Sequence, residues 1–175
     1  VLIKTRKEDI IFDIDEEPLK FRKDKISKLR PAFSKDGTIT AANASSLSDG
    51  SAAVLLASKS EIDKNKLKPL AKIIAHCSFA DEPLYFTRSP IYAIEKVLSL
   101  SGLNLNDIDL FEINEAFSCV PMVAIDTLKI SSNKVNVNGG AVSMGHPIGA
   151  SGARILVTLL NLSLIHISEP TRPLE

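Results

Sequence analysis

Residues 136–154 read Asn136-Val137-Asn138-Gly139-Gly140-Ala141-Val142-Ser143-Met144-Gly145-His146-Pro147-Ile148-Gly149-Ala150-Ser151-Gly152-Ala153-Arg154 and form the densest local pattern in the chain. Five glycines surround one histidine, and the run is neither a P-loop nor a GxGxxG dinucleotide fingerprint. Glycines let a ligand approach the backbone, and an unperturbed imidazole, with a pKa near ~6.5, transfers protons at neutral pH. His146 is therefore a candidate acid–base residue. The alternative is a turn histidine without chemistry, and the flanking glycines favour the first interpretation.

A second motif lies upstream and reads Glu112-Ile113-Asn114-Glu115-Ala116-Phe117. It follows an expected strand and precedes an expected helix, and open α/β folds place their sites at the carboxyl ends of strands. Asn114 could orient a water or donate to a developing oxyanion. It could equally be a helix N-cap, with Glu115 complementing the helix dipole. The local sequence leaves both interpretations open.

Further outward, apolar runs of strand length alternate with helical periodicity, which is typical of a layered α/β domain. Two expected helices are nearly free of charge: the last carries only Arg154, and residues 120–128 carry only Asp126. Helices that are apolar on most sides are buried on most sides, which indicates a helix layer between sheets or against another subunit. The expected strands are residues 10–12, 52–57, 71–79, 109–113 and 134–137, and the expected helices are residues 60–67, 89–101, 117–130 and 150–162.

The composition restricts the class of protein. Lysine plus arginine equals aspartate plus glutamate at 21 each, which argues against a nucleic-acid partner. No apolar run reaches the ~20 residues that a bilayer span needs, so no membrane partner is expected. Two cysteines make no disulfide framework and indicate a reducing compartment. Both ends look cut, so a targeting peptide would lie outside these residues.

The remaining residues capable of chemistry are weaker candidates. Cys77 lies in an expected strand and Cys119 in an expected buried helix, where a small buried apolar residue is the more ordinary interpretation of each. His76 is expected on the strand surface.

Together these segments resemble the thiolase family, and within it the biosynthetic acetoacetyl-CoA type. The similarity runs from about residue 28 to about residue 160. It is carried by Lys28-Leu29-Arg30-Pro31-Ala32-Phe33, Gly37-Thr38-Ile39-Thr40-Ala41-Ala42-Asn43-Ala44-Ser45, Asp49-Gly50, Asn114-Glu115-Ala116-Phe117 and residues 139–154. The resemblance implies a five-layer α-β-α-β-α fold, of which this chain is an incomplete C-terminal half. Residues 1–48 would end the loop domain, 49–68 would end the N-terminal domain, and 69–162 would form a truncated C-terminal domain.

The resemblance also implies roles for individual residues. His146 matches the histidine that activates a nucleophilic cysteine, and Asn114 matches the asparagine that fixes a water at the thioester enolate oxygen. The matches around coenzyme A are Ser45 and Ala41 at the pantetheine arm, Phe33, Ala116 and Phe117 nearby, and Lys25 at the phosphates. Potassium-activated mitochondrial members are similar at Ala41, Ala42, Ala44 and Val142, which would be the potassium site.

The chain also departs from the family pattern. The nucleophilic cysteine would belong to an N-terminal half that these residues do not include, and no C-x-G segment follows the last expected helix. Residues 163–175 have no family counterpart and resemble translated linker sequence. Pro121 is not typical of the family and is tolerable only near the start of a helix.

These matches lead to one functional expectation. The parent protein is expected to be an acyltransferase of lipid metabolism that condenses two acetyl-CoA to acetoacetyl-CoA or catalyses the reverse thiolysis, while this chain alone is inactive. The coenzyme A thioester is the substrate, and no cofactor is obligatory. A homodimer or homotetramer is expected, in mitochondria or cytoplasm, with mitochondria favoured. The alternatives are a degradative 3-ketoacyl-CoA thiolase and a catalytically silent thiolase-like protein that binds an acyl group or a partner.

Overall fold

The chain forms two structural units in the computed structural model, which describes residues 1–168: residues 1–42, and the chain from Asn43 onward. The first unit begins with an antiparallel hairpin of β1 (Leu2–Lys4) and β2 (Asp9–Ile11), in which Ile3 pairs with Ile10. Helix α1 (Glu16–Lys20) follows, and then a 3-10 turn at Lys23–Lys28. The expected strand at residues 10–12 is thus confirmed within one residue.

The second unit is mainly helical, and the periodicity predicted its longer helices well. The helix at Ser89–Ser101 ends at Gly102, whose φ of +72° is a left-handed conformation that glycine adopts at low cost. The helices are α2 (Lys59–Asn65), α3 (Ser89–Ser101), α4 (Cys119–Leu128), α5 (Ala141–Met144) and α6 (Ser151–Ser168), with 3-10 turns at Pro83–Arg88, Leu105–Asp107 and Ser132–Lys134.

Most of the expected strands are absent from the described part of the chain. Residues 52–57 and 71–79 have no regular secondary structure, and residues 109–113 and 134–137 meet in one parallel bridge, Phe111 with Val135. A strand exists only where a neighbour accepts and donates its backbone hydrogen bonds, and in residues 1–168 no segment pairs with residues 52–57 or 71–79. Their apolar side chains stay largely exposed, as for Leu55 at 91%.

The core of the second unit lies where α3 and α4 pack against this bridge. Its buried side chains come from both helices and from the segments around residues 113, 130 and 135: Ile91, Ile113, Val120, Ala124, Ile130 and Val135. Helix α4 buries one face within the described residues, whereas Met122 and Val123 on its other side are exposed. Pro121 lies in the first turn of α4, where proline is tolerated.

The length and apolarity of the helices also bear on membranes. Within residues 1–168, none is both long and apolar enough to cross a bilayer. Residues 163–168 continue α6, and the rest of the expected linker-like tail, residues 169–175, lies outside the described residues.

Candidate active site

His146 lies in the loop that joins α5 to α6, and its backbone is fixed by residues 46–48. The His146 amide donates to the Ser46 carbonyl oxygen at 2.8 Å, and Leu47 forms a parallel bridge with His146. The preceding Gly145 has φ +91°, and a Cβ there would collide with the Ser48 hydroxyl. Only glycine combines a positive φ with the absence of a Cβ, so Gly145 lets the chain pass close to Ser48 and thereby places the imidazole of the next residue.

Both ring nitrogens of His146 have a polar neighbour. Nε2 lies 3.4 Å from the Asn114 side-chain Nδ2, and Nδ1 lies 2.7 Å from the Ser151 Oγ. Ser151 is only 4% exposed, and His146 and Asn114 are half-buried. The fold therefore brings together the two motif residues named from the sequence, which lie 32 positions apart.

Asn114 is held in place by its neighbours. Phe111 donates its amide to the Lys134 carbonyl oxygen at 2.8 Å, and Asn136 donates its amide to the Phe111 carbonyl oxygen at 2.9 Å. The Asn136 side chain then continues this ladder: its Oδ1 accepts from the Ile113 amide and its Nδ2 donates to the Ile113 carbonyl oxygen, both at 2.8 Å. The residue before Asn114, Ile113, therefore has both its backbone N–H and its backbone carbonyl oxygen hydrogen-bonded.

Glu115 ties this segment to the start of α5. One carboxylate oxygen accepts from Asn136 Nδ2 at 2.8 Å, and the other accepts from the Val142 amide at 3.0 Å. The alternative that Asn114 caps the following helix is wrong, because α4 begins at Cys119 and its N-cap is Ser118. Glu115 correspondingly lies ahead of α4 and hydrogen-bonds to the first turn of α5.

Some buried polar atoms around the pair have no hydrogen-bond partner among the described residues. They include Asn114 Oδ1, both carboxylate oxygens of Glu112, and Nε and Nη1 of Arg154. Burial raises the pKa of Glu112 above its ordinary value, and the positive charge of Arg154 opposes part of that rise. Asn114 Oδ1 can thus accept a hydrogen bond from a small molecule beside the imidazole, as its expected role requires.

Residues 43–45, which include an expected pantetheine residue, run antiparallel to residues 116–118, just before α4. Ala44 forms a bridge with Phe117, and the Ser45 amide and hydroxyl donate to the Ala116 carbonyl oxygen at 3.2 and 3.1 Å. The ring of Phe117 packs 6.1 Å from that of Phe86, measured between centroids. The fold thus assembles Ala44, Ser45, Ala116 and Phe117 into one cluster.

The other expected coenzyme A residues belong to the first unit. Lys25 is exposed in the 3-10 turn, Ala41 and Ala42 are exposed, and the Phe33 ring, 74% exposed, borders a small pocket of about 180 Å³. The four residues of the expected potassium site have apolar side chains, so each can offer a cation only its backbone carbonyl oxygen: Ala41, Ala42, Ala44 and Val142. Backbone carbonyl oxygens are donors that potassium takes in proteins. The donor type therefore fits potassium.

The cysteines play no part in this arrangement. The Cys77 thiol donates to the Ala93 carbonyl oxygen at 3.3 Å and is half-buried, and Cys119 is the half-buried first residue of α4. His76 is exposed, as expected from the sequence, although its expected strand is not formed. The imidazole of His146 has Asn114 and Ser151 as its neighbours.

Sequence reasoning missed Ser151, Asn136 and the bonding role of Glu115. A serine at the start of an expected helix was visible, but the pattern did not indicate that its hydroxyl would turn toward a histidine five positions earlier. Asn136 has φ +47°, a left-handed conformation in which asparagine is enriched. The residue type alone is compatible with such a turn, but it does not indicate which groups the side chain bonds.

Comparison with known proteins adds a family. The thiolase N-terminal domain matches residues 1–60, and the thiolase C-terminal domain matches residues 67–166. A probable acetyl-CoA acetyltransferase of Dictyostelium discoideum is 51% identical over 85% of this chain and 36% of its own length. The mitochondrial acetyl-CoA acetyltransferase of Rattus norvegicus is 49% identical over 87% of this chain, and again 36% of its own length is covered.

Solved structures agree with these relatives. The acetyl-CoA acetyltransferase of Bacillus anthracis superposes with a TM-score of 0.82 at 41% identity, covering 94% of this chain and 42% of that one. Human mitochondrial 3-ketoacyl-CoA thiolase gives 0.77 at 35% identity, covering 95% and 42%. The backbone thus has the thiolase fold expected from the sequence, and the chain spans less than half the length of the proteins it matches.

Proposed function

The chain belongs to the thiolase family, and from this premise we propose that the longer protein it represents condenses two acetyl-CoA to acetoacetyl-CoA and catalyses the reverse thiolysis. In the forward direction, an enzyme thiolate attacks the first acetyl-CoA and releases coenzyme A. A second enzyme thiolate, that of the family's C-x-G cysteine, then takes an α-proton from the second acetyl-CoA, and the resulting carbanion attacks the enzyme thioester. Acetoacetyl-CoA forms, and the enzyme sulfur leaves as the thiolate. The relatives named acetyl-CoA acetyltransferase support this choice of substrate.

One observation carries the proposal: the Asn114 side-chain Nδ2 lies 3.4 Å from Nε2 of the His146 ring. An ordinary thiol, with a pKa near ~8.5, is mostly protonated at neutral pH, so the nucleophile needs a base beside it. His146 Nε2 takes that proton. The charged imidazolium and a water held on Asn114 then stabilise the oxygen that becomes negative in the thioester enolate.

The chain's own residues would position the substrate. We assign the pantetheine arm to Ser45 and Ala41, with Phe33, Ala116 and Phe117 supplying apolar contacts and Lys25 facing the phosphates. The ordered hydrogen bonds of Ser45 to Ala116 support this part, because they hold two of these residues against each other. No cofactor is obligatory.

Potassium remains a further assignment of the proposal. The carbonyl oxygens of Ala41, Ala42, Ala44 and Val142 would hold it, and the ion supplies a fixed positive charge that orders these backbone segments. No step of the reaction passes through it.

A degradative activity on longer 3-ketoacyl-CoA is the second candidate, and the structural similarity to human mitochondrial 3-ketoacyl-CoA thiolase favours it. We also propose a homodimer or homotetramer in mitochondria. A peroxisomal thiolase of Saccharomyces cerevisiae described as dimeric supports the oligomer, and the mitochondrial relatives of rat and cattle support the compartment.

The test is acetoacetyl-CoA thiolysis by the longer protein with His146→Ala. We expect activity to fall by about 10²–10⁴-fold or more, because a positioned acid–base group contributes this much. His76→Ala is the matched control, since that histidine is exposed, and it should keep wild-type turnover. Near-normal turnover of His146→Ala would refute the proposal. A higher kcat/KM for a long-chain substrate than for acetoacetyl-CoA would favour the degradative candidate.

The 175-residue chain alone is expected to be inactive in the same assay. Its two thiols, Cys77 and Cys119, are half-buried, and the Cys77 thiol is bonded to a carbonyl oxygen, so neither is placed as a nucleophile. A longer protein that binds acyl-CoA without turnover would instead support the silent-binder alternative.

A further inference from the structure

We propose that Ser151 is a positioning residue that holds the neutral His146 ring as the Nδ1–H tautomer, so that Nε2 keeps a lone pair with which it can take a proton. The catalytic consequence of this assignment rests on the proposed function. The tautomer itself does not, because it rests on the hydrogen bonds of Ser151 and Asn114 alone.

The first line of argument is the Ser151 hydroxyl. It has one hydrogen to donate and two lone pairs to accept with. Its Oγ lies 3.1 Å from the Pro147 carbonyl oxygen, which cannot donate and which also accepts from the Ala150 and Ser151 amides at 2.7 and 2.9 Å; the serine hydrogen is assigned to that contact. The contact of 2.7 Å with His146 Nδ1 then needs its hydrogen from the ring. Nδ1 therefore carries the proton.

The second line of argument comes from the opposite side of the ring. The Asn114 Nδ2 can only donate, and it lies 3.4 Å from His146 Nε2. A hydrogen on Nε2 would point at this N–H group, whereas a lone pair accepts from it. The contact at Nε2 thus agrees with the tautomer that the Ser151 contact assigns at Nδ1.

Burial and helix structure make the arrangement rigid. Ser151 is 4% exposed and begins the 18-residue helix α6, and its own amide donates to the Pro147 carbonyl oxygen at 2.9 Å. Its hydroxyl is therefore fixed by backbone that cannot shift without unwinding the helix start. A hydrogen-bond partner held in this way orients a histidine ring as well as choosing its tautomer.

The assignment has a direct chemical consequence. With Nε2 bare, the ring can take the proton of a thiol, and sulfur keeps the electron pair of the broken S–H bond. The resulting imidazolium carries a hydrogen on each nitrogen: Nδ1–H stays bonded to Ser151, and the new Nε2–H can donate to an oxyanion. The opposite tautomer would present a hydrogen to the thiol and could not act as a base at that atom.

The tautomer can be measured on this chain by solid-state NMR with 15N-labelled histidine, which does not depend on solubility. The ring nitrogen that bears a hydrogen resonates far upfield of the bare one, and spectra are recorded where imidazole is neutral. The chain has three histidines, and His146→Gln identifies the His146 signals by their loss. We expect Nδ1–H in the wild type and a shift toward Nε2–H in Ser151→Ala.

A control on the same helix is Ser163→Ala, because the Ser163 hydroxyl donates to the Leu160 carbonyl oxygen at 2.9 Å and serves only the helix. It should leave the His146 spectrum unchanged. An Nε2–H ring in the wild type would overturn the proposal, and so would a His146 spectrum that is the same in Ser151→Ala as in the wild type.

Kinetics of the longer protein supply the second readout. Ser151→Ala should lower kcat about 10- to 100-fold with little change in KM, the size of effect typical of a group that orients a histidine. Ser151→Thr keeps the hydroxyl and should recover most of the loss. Unchanged kcat in Ser151→Ala would overturn the positioning role. Absence of thiolase activity in the wild type would instead refute the proposed function, and the NMR result would still decide the tautomer.

Discussion

Replacing Asn136 by alanine should unlock the segment that carries Asn114. The Asn136 side chain makes three hydrogen bonds of 2.8 Å: two with the amide and carbonyl of Ile113, and one with the Glu115 carboxylate. Ile113 is only 7% exposed, so water cannot easily replace the two lost partners. Asn136 also has φ +47°, where alanine is disfavoured.

The expected cost follows from these contacts. An unsatisfied buried backbone group costs about 1–3 kcal/mol, and Asn136→Ala leaves two of them. Losing the partly exposed bond to Glu115 adds about 1 kcal/mol, and the left-handed backbone adds about 1 kcal/mol more. We therefore expect a loss of about 4–8 kcal/mol, which is comparable with the whole stability of many domains.

Amide hydrogen exchange measures this loss locally, because the Ile113 N–H is itself one of the broken bonds. A destabilisation of about 4 kcal/mol should lower its protection about 10³-fold. Asn136→Gly loses the same bonds without the backbone strain and should retain about 1 kcal/mol more stability. The exposed Asn138→Ala, two residues on, is the matched control. If Ile113 is as protected in Asn136→Ala as in Asn138→Ala, the assigned role is wrong.

Three further substitutions test the surroundings of the site, the last as a control for the second. Because burial raises the pKa of Glu112 above 4.5, stability is highest below this unfolded value and falls as the pH rises toward the folded pKa. In thermal melts, the stability of Glu112→Gln relative to the wild type should therefore increase as the pH rises above 4.5, and a stability difference that does not change with pH would contradict this. A Cβ at Gly140 would collide with the Glu115 carboxylate, so Gly140→Ala should destabilise by about 1–3 kcal/mol in denaturant titrations. Gly152→Ala, whose Cβ would meet nothing within 4 Å, should stabilise by about 0.5–1 kcal/mol, and equal effects of the two changes would refute the collision.

The helices and the central pair of the site were predictable from the sequence for different reasons. Helix α3 has its apolar stripe, the Ser89-Pro90 start and Gly102 all within one segment, so local periodicity is enough. His146 and Asn114 stand in residue patterns that resemble the thiolase family. The structure confirms that they meet, at 3.4 Å between the side-chain nitrogens.

The strands were less predictable because a sheet depends on distant partners. Residues 52–57 and 71–79 have the apolar pattern of strands, but pairing is a property of two segments and cannot be read from one. The same limit applies to Asn136 and Ser151. Asn136 bonds to Ile113 and Ser151 contacts His146, and only the folded backbone brings these pairs together. The residues of one motif alone could therefore not indicate these hydrogen bonds.

The hydrogen bonds that position the His146–Asn114 pair connect residues that all belong to the second unit. Asn136 and Glu115 fix the segment of Asn114, while Ser46 and Ser151 fix the backbone and ring of His146. The base half of the proposed reaction is therefore organised before any nucleophile is present. A preformed base needs no reorganisation when a thiol arrives, which is the condition under which electrostatic stabilisation is largest. If the 175-residue chain shows the Nδ1–H tautomer yet no turnover, the missing element is the nucleophile and not the base.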